Sequence, residues 1–438
     1  MSVSAGSSSG DRTLNHVVVL GANGTMGFGS AALFTQAVPR VTFLARTRAK
    51  AEEGLQAAIG QVRSNSLAAR ADVGSYDDDL AATLATADLV FEAVAEDPAI
   101  KQQIFDLIEA HRRPGSMVAT VSSGLSINGL AAGRSDDFRA NFCGLHFFNP
   151  PNVITGTELI PNADTDPAVL DFLETFCRKR LGREMVRTED TPAFAGNRVG
   201  FKVLNECAQM AEELGPLLVD RIVGPYTGRA LTPLATIDLV GWDVHRAIVD
   251  NVYANTNDEV HETLKLPDFM ARLIDKGVLG RKTGGGFFAK GDEGDMVLVP
   301  ATGDYVPESS ITLPDMPHVA RIADMYAQAR YVEGLQILVD APGPEAALAR
   351  KIMAGYIAYS FERVGEVCAS INDIDRIMGM GFNWAPPSVL VDTMGLTNAT
   401  KMIREAGLAV PAALADAAPD TRFFRHPNIN TGRFFVAA

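Results

Sequence analysis

A glycine loop near the N-terminus limits what this chain can fold into more than any other feature. Residues 16–21 read HVVVLG, a short apolar run ending in glycine, which predicts a buried strand. The segment Gly21-Ala22-Asn23-Gly24-Thr25-Met26-Gly27 follows, and residues 24–36 carry the pattern of a helix. Glycines there let backbone amides approach a pyrophosphate, which also meets the positive end of the helix. A glycine triplet alone says little; between a strand and a helix it points to dinucleotide binding. Gly21, Gly24, Thr25, Met26 and Gly27 are therefore candidate cofactor-binding residues.

The pattern then alternates. Strands are expected at 41–45 (VTFLA), 89–94 (LVFEAV), 117–120 (MVAT) and 143–148 (CGLHFF), with helices at 47–61 and from Pro98 toward His111. Alternation of this kind predicts an α/β domain with a parallel, doubly wound sheet over residues 14–188. Residues 1–13, rich in Ser and Gly, are expected to be a disordered tail. Residues 189–290 show helical spacing and no strand signal, and end in the glycine-rich GRKTGGGFF (280–288). Residues 291–340 open with charge, Gly and Pro and are expected to be a linker, with a possible hairpin at MVLVPATGDYVP.

An internal repeat sets the rest. Residues 219–241 (VDRIVGPYTGRALTPLATIDLVG) resemble 374–395 (IDRIMGMGFNWAPPSVLVDTMG). Asp220 and Asp238 lie 18 positions apart, Asp375 and Asp392 17, and Gly241 and Gly395 each follow the second Asp by three. The chain thus reads as a sheet domain followed by two copies of an all-α domain, the second at 341–438.

In a dinucleotide site the second strand should end in an acid that holds the adenosine ribose of NAD. Here that position is Ala45, 21 residues after Gly24, and Arg46 and Arg48 follow. Arginine in place of the acid suits the 2′-phosphate of NADP. The other reading is that both arginines are solvated residues at a helix start.

The candidate catalytic residues lie at strand ends. GLHFFNP (144–150) puts His146 near the end of a strand, at the carboxyl edge where such sheets bind ligands, and Glu158 follows twelve residues later. A histidine with a carboxylate partner suits a general base near neutral pH. Ser123 lies in the turn after MVAT, and Asn197 opens the helical region in DTPAFAGNR (190–198).

Charge narrows the partners. Thirty-nine basic against 53 acidic residues give a net charge of −14, unlike the basic footprint of a nucleic-acid binder. No apolar run approaches a membrane span, and the N-terminus lacks the apolar stretch of a secretory signal. Cys143, Cys177, Cys207 and Cys368 fit no zinc or disulfide spacing and are expected to be reduced core thiols of a cytoplasmic protein.

Taken together, GANGTMG, ADLVFEAVAED (87–97), SSGLSI (122–127), GLHFFNP, the glutamate twelve residues on, DTPAFAGNR, LVGWD (239–243) and GRKTGGGFF resemble the L-3-hydroxyacyl-CoA dehydrogenases. The likeness covers residues 16–405 and is nearest to the dehydrogenase half of bacterial β-oxidation multienzymes with two helical domains. It implies a Rossmann-type sheet, two C-terminal domains of that family's type, and hydride transfer between NAD or NADP and a 3-hydroxyacyl thioester. It implies His146 as the base for the 3-hydroxyl and Glu158 as the carboxylate that orients it. It implies substrate contacts from Ser123 and Asn197, and a place for Glu92 near the cofactor. In the family one helical domain packs on a partner subunit's, so the duplicated domain implies a monomeric pseudo-dimer, with a homodimer as the alternative.

The sequence also departs from the family. The acid of the second strand is Ala45, and the asparagine usually two residues before the serine is Val121. The glycine loop carries one extra residue. The stretch before ADVGSYDDDL (71–80), which in the family forms a helical arm that touches coenzyme A, is shorter here. The lysine usually just before the glutamate is missing from ITGTE (154–158). These changes leave open a substrate held by a carrier protein or a small hydroxy acid. A reading of another class, a non-catalytic dinucleotide-binding scaffold subunit, conflicts with retention of all four catalytic positions.

Overall fold

The computed structural model describes residues 12–292, 294–426 and 429–436, so most of the expected N-terminal tail lies outside the described residues. The chain divides into two compact units, 1–190 and 191–438.

The first unit is built on an eight-stranded sheet: β1 (His16–Leu20), β2 (Arg40–Ala45), β3 (Ala71–Ser75), β4 (Leu89–Glu92), β5 (Met117–Thr120), β6 (Phe142–Phe147), β7 (Gly156–Pro161) and β8 (Glu184–Arg187). Their order is β3-β2-β1-β4-β5-β6-β7-β8. The strands β1, β4 and β5 are buried throughout, as expected of a sheet covered on both faces. The helices are α1 (Thr25–Thr35), α2 (Arg48–Val62), α3 (Tyr76–Leu84), α4 (Pro98–His111), α5 (Ile127–Ala131), α6 (Asp136–Ala140) and α7 (Pro167–Leu181). Thr47, Ser75 and Asp97 cap α2, α3 and α4 by accepting backbone N–H bonds, and Pro98 opens α4. Strand order reverses between β1 and β4, which opens the crevice where such sheets take ligands.

The sheet is not wholly parallel. β7 runs antiparallel to β6 and parallel to β8. The register sets His146 opposite Glu158.

In the second unit, α8 (Gly196–Leu214), α9 (Pro216–Ile222), α10 (Pro233–Val240), α11 (Trp242–Asn255) and α12 (Asp268–Asp275) form the first helical copy. The expected linker is corrected. It folds into β10 (Gly294–Leu298) and β11 (Tyr305–Pro307), paired antiparallel with each other and with β9 (Phe288–Gly291), then into α13 (Pro317–Ala327) and α14 (Tyr331–Asp340). Val297, Leu298, Val319, Ile322, Tyr326, Leu335 and Leu338 of this stretch are buried, so apolar packing orders it despite its polar opening. The second copy comprises α15 (Pro344–Glu362), α16 (Ile371–Met380), α17 (Pro387–Met394), α18 (Leu396–Glu405) and α19 (Ala412–Ala415).

The repeat is physical. The Asp238 carboxylate accepts the amides of Phe287 and Phe288 at 2.9 Å each. The Asp392 carboxylate accepts those of Phe423 and Phe424 at 3.0 and 3.1 Å. Asp220 accepts from Leu234 N, and Asp375 from Ser388 N. The offset that aligns Asp220 with Asp375 also aligns Gly200 with Gly355, and both glycines face the opposite copy. A Cβ on Gly200 would lie 2.3 Å from the Phe382 ring, and one on Gly355 2.8 Å from Lys202 Nζ. Ala385 N donates to Gly228 O at 2.6 Å, and the Arg229 guanidinium lies 4.6 Å from the Trp384 ring centroid. One apolar core runs through both copies. Among the described residues no helix is long and apolar enough to cross a membrane, and the four cysteines are buried.

Candidate active site

The glycine loop turns from β1 into α1 as its sequence requires. Gly21 has φ +73°, and a Cβ there would lie 2.4 Å from Ala93 O. A Cβ on Gly27 would lie 2.1 Å from Gly21 O, so only glycine lets α1 sit this close to β1. Gly24 is the N-cap of α1 and no side chain caps the helix. The first-turn amides of Thr25, Met26 and Gly27 thus form a cradle for an anion, and the loop fits a dinucleotide pyrophosphate.

β2 ends at Ala45, which is fully buried. Arg48, the first residue of α2, donates to Asp79 Oδ2 at 2.9 Å and to Val73 O at 2.8 Å. Arg46 is exposed.

Glu92 stands at the end of β4, next to the end of β1. Its carboxylate is fully buried, accepts two bonds from Lys101 Nζ at 2.9 and 2.8 Å, and also takes Thr120 Oγ1 and Val94 N. A buried carboxylate needs such partners. All this bonding is internal, so Glu92 anchors the end of β4 to α4 and β5, and its strand end lies beside the glycine loop, paired with Leu20.

Glu96, which the sequence reading passed over, organises the serine turn. Its Oε1 accepts Ser122 Oγ at 2.5 Å, Ser123 N at 2.9 Å and Gly124 N at 3.2 Å. Burial pushes its pKa up, but Lys101 and these hydrogen bonds outweigh that and hold it below the usual glutamate value. The available signal was an acid four residues after a strand-end glutamate. Asp190 pins the same loop farther on, accepting from Ser126 Oγ, Ile127 N and Asn128 N at 2.8 Å each.

His146 and Glu158 are brought together. Nδ1 lies 2.7 Å from Glu158 Oε2, and both side chains are buried. An ionised carboxylate only accepts, so a bond to it is made by the tautomer with the proton on Nδ1. The imidazole packs on Phe148, ring centroids 4.8 Å apart. β5 and β6 are parallel neighbours, so the Ser123 turn and His146 lie side by side at one carboxyl edge. The glycine loop ends β1, three strand spacings or about 14 Å along that edge.

Asn197 belongs to the second unit, in the first turn of α8. The chain enters this helix through Ala193 and Phe194, at φ +63° and +55°. Two consecutive left-handed non-glycine residues cost energy and concentrate at functional segments. The next residue, Arg198, is buried: Nε donates to Tyr359 Oη at 2.6 Å, and Nη2 to Asp258 at 2.7 Å and Glu366 at 3.1 Å. The start of α8 is thereby tied to side chains from both helical copies.

Comparison with known proteins agrees with this geometry. Residues 16–191 match the family described as 3-hydroxyacyl-CoA dehydrogenase, NAD binding domain, and residues 194–290 match its C-terminal domain. A probable 3-hydroxyacyl-CoA dehydrogenase of Bacillus subtilis is 33% identical over 77% of this chain, which spans 42% of that relative's length. One of the same description from Deinococcus radiodurans is 33% identical over 58% of the chain and 72% of its own length. The crystal structure of 3-hydroxybutyryl-CoA dehydrogenase from Escherichia coli K12, 20% identical, covers 92% of this chain and 98% of its own with a TM-score of 0.68, a likeness of fold. The sheet unit is an NAD binding domain by family as well as by the shape of its glycine loop. Sequence and fold lead to one assignment: this chain belongs to the 3-hydroxyacyl-CoA dehydrogenase family.

Proposed function

We propose that the chain interconverts an L-3-hydroxyacyl thioester and its 3-oxoacyl counterpart, with His146 as general base. The observation that carries this reading is the Nδ1–Oε2 bond of His146 and Glu158, set beside the Ser123 turn. Bound NAD(P), held by the glycine loop and the α1 amides, supplies the hydride acceptor, or the donor in reverse. Nε2 of His146 takes the 3-hydroxyl proton as C3 loses hydride and becomes a carbonyl carbon. Glu158 stabilises the imidazolium formed. Ser123 donates to the substrate oxygen, and on the resemblance Asn197 is assigned a second such contact.

Initial rates of acetoacetyl-CoA reduction, with NADH and NADPH in parallel, test the reading. Turnover with either supports the thioester assignment. A second reading has the same chemistry on a carrier-bound acyl group or a small hydroxy acid. It is favoured by the short connection from β2 to β3, which holds one α-helix, α2, and a six-residue 3-10 segment at Asn65–Arg70. Inactivity on acetoacetyl-CoA together with reduction of an acetoacetyl carrier protein would select it. We also infer that the paired helical copies make the chain a monomeric pseudo-dimer, since the second copy covers the face of the first.

A further inference from the structure

The missing acid of β2 leaves a chemical gap, and a residue from another strand reaches across it. Ala45 is paired in register with Ser75 at the end of β3. The next residue, Tyr76, opens α3. Its hydroxyl oxygen accepts the N–H of Gly21, the first glycine of the loop, at 2.8 Å. β2 lies between β3 and β1, so two strand spacings, about 9–10 Å, separate their ends. The Tyr76 side chain must therefore cross the carboxyl end of β2, where an acid would stand.

The chemistry at that point is changed. A carboxylate accepts from ribose hydroxyls and repels a phosphate. A phenol is neutral, and its oxygen can accept from Gly21 while its proton points elsewhere. Burial pushes the Tyr76 phenol up to about 12, so the proton stays on at any working pH. Among the described residues no acceptor takes that proton. The two arginines also differ. Arg48 is engaged by Asp79 and Val73 O. Arg46 is exposed, has no ion pair among the described residues, and its charge acts on the Tyr76 phenol.

We propose that Tyr76 takes the place of the ribose-binding acid, donating its phenolic proton to the oxygen at the 2′ position of the adenosine ribose, with Arg46 as the counter-charge when that oxygen carries phosphate. The site then admits both NAD and NADP. This rests on the reading of the glycine loop as a dinucleotide site, and it deepens that reading by naming what replaces the acid.

Equilibrium titrations, by cofactor fluorescence for NADH and NADPH and by calorimetry for ADP, 2′-deoxy-ADP and 2′,5′-ADP, separate the possibilities. In the wild type, NADH and NADPH should bind within about tenfold of each other. Tyr76→Phe should weaken NADH, NADPH and ADP by about tenfold, the scale of one hydrogen bond, and 2′-deoxy-ADP by less than about twofold. Arg46→Gln should weaken NADPH and 2′,5′-ADP by about tenfold or more and NADH by less than about twofold. Equal loss of ADP and 2′-deoxy-ADP in Tyr76→Phe would mean that the phenol only shapes the loop through Gly21, and would overturn the proposal. So would undiminished binding by Tyr76→Phe, or equal loss of NADH and NADPH in Arg46→Gln. A wild type that binds neither dinucleotide would overturn the loop reading itself, and the proposal with it.

Discussion

Glu158 stands directly opposite His146 in the β6–β7 ladder, and its carboxylate meets the imidazole Nδ1 at 2.7 Å. Antiparallel pairing over this register holds two side chains twelve residues apart in one orientation. His146→Gln should lower kcat/KM for acetoacetyl-CoA reduction by about 10²–10⁴-fold, and Glu158→Gln by at least about tenfold. Initial rates at saturating cofactor check both. An unchanged rate in His146→Gln would remove the base from this site.

Buried Asp375 gives the second unit a pH dependence. Burial raises its carboxyl from an ordinary value to about 8, only partly countered by Ser388. The folded state thus holds a proton that the unfolded chain releases near pH 4. The stabilisation is complete below that pH, fades as pH rises toward about 8, and is absent above. Asp375→Asn removes the titration while keeping an oxygen for Ser388 N. Its melting temperature should exceed the wild type's by ~2–6 °C at pH 9 and vary less between pH 5 and 9, as thermal unfolding across that range will show.

The cluster around Arg198 joins the two copies by charge as well as by packing. Tyr359 Oη accepts from Arg198 Nε and donates to Asp258 at 2.8 Å, while Arg363 pairs with Asp258, Glu259 and Glu366. Arg198→Met should destabilise the second unit by about 3 kcal/mol, because buried Asp258 loses its nearest cation. Tyr359→Phe should cost about 1–2 kcal/mol. Denaturant melts measure both, and raised salt should change neither greatly, since the Arg198 and Asp258 side chains are shielded from solvent.

If the second copy occupies the face that a partner subunit would take, light scattering should return a mass near 46.8 kDa. A value twice that would mean that another surface dimerises. Gly200→Leu should disrupt the seam, because its side chain would collide with Phe382. A loss of about 1–3 kcal/mol in the melt is expected.

Much of the sheet unit was legible because its signals are local. HVVVLG, the glycine loop and the strand-end histidine each carry their meaning within a few residues. β3 (ADVGS) escaped notice because its polar residues lack the apolar run of the inner strands, and β7 because TELI is short. In the stretch 291–340 the hairpin was legible and the helices after it were not. Its Gly, Pro and charged residues resemble a loop, while Leu298, Ile322 and Leu335 find their partners far away in sequence. Glu96 and Tyr76 act through bonds to residues 26 to 55 positions distant, and no periodicity reports those.

The joining of both helical copies in one polypeptide turns an association into an internal equilibrium. Two separate subunits would meet at a rate set by their concentration and part on dilution. Tethered copies face each other at an effective concentration of order millimolar or above whatever the amount of enzyme present. The pair should thus persist at trace abundance, and each pair carries one dinucleotide fold where a dimer of single-copy chains would carry two.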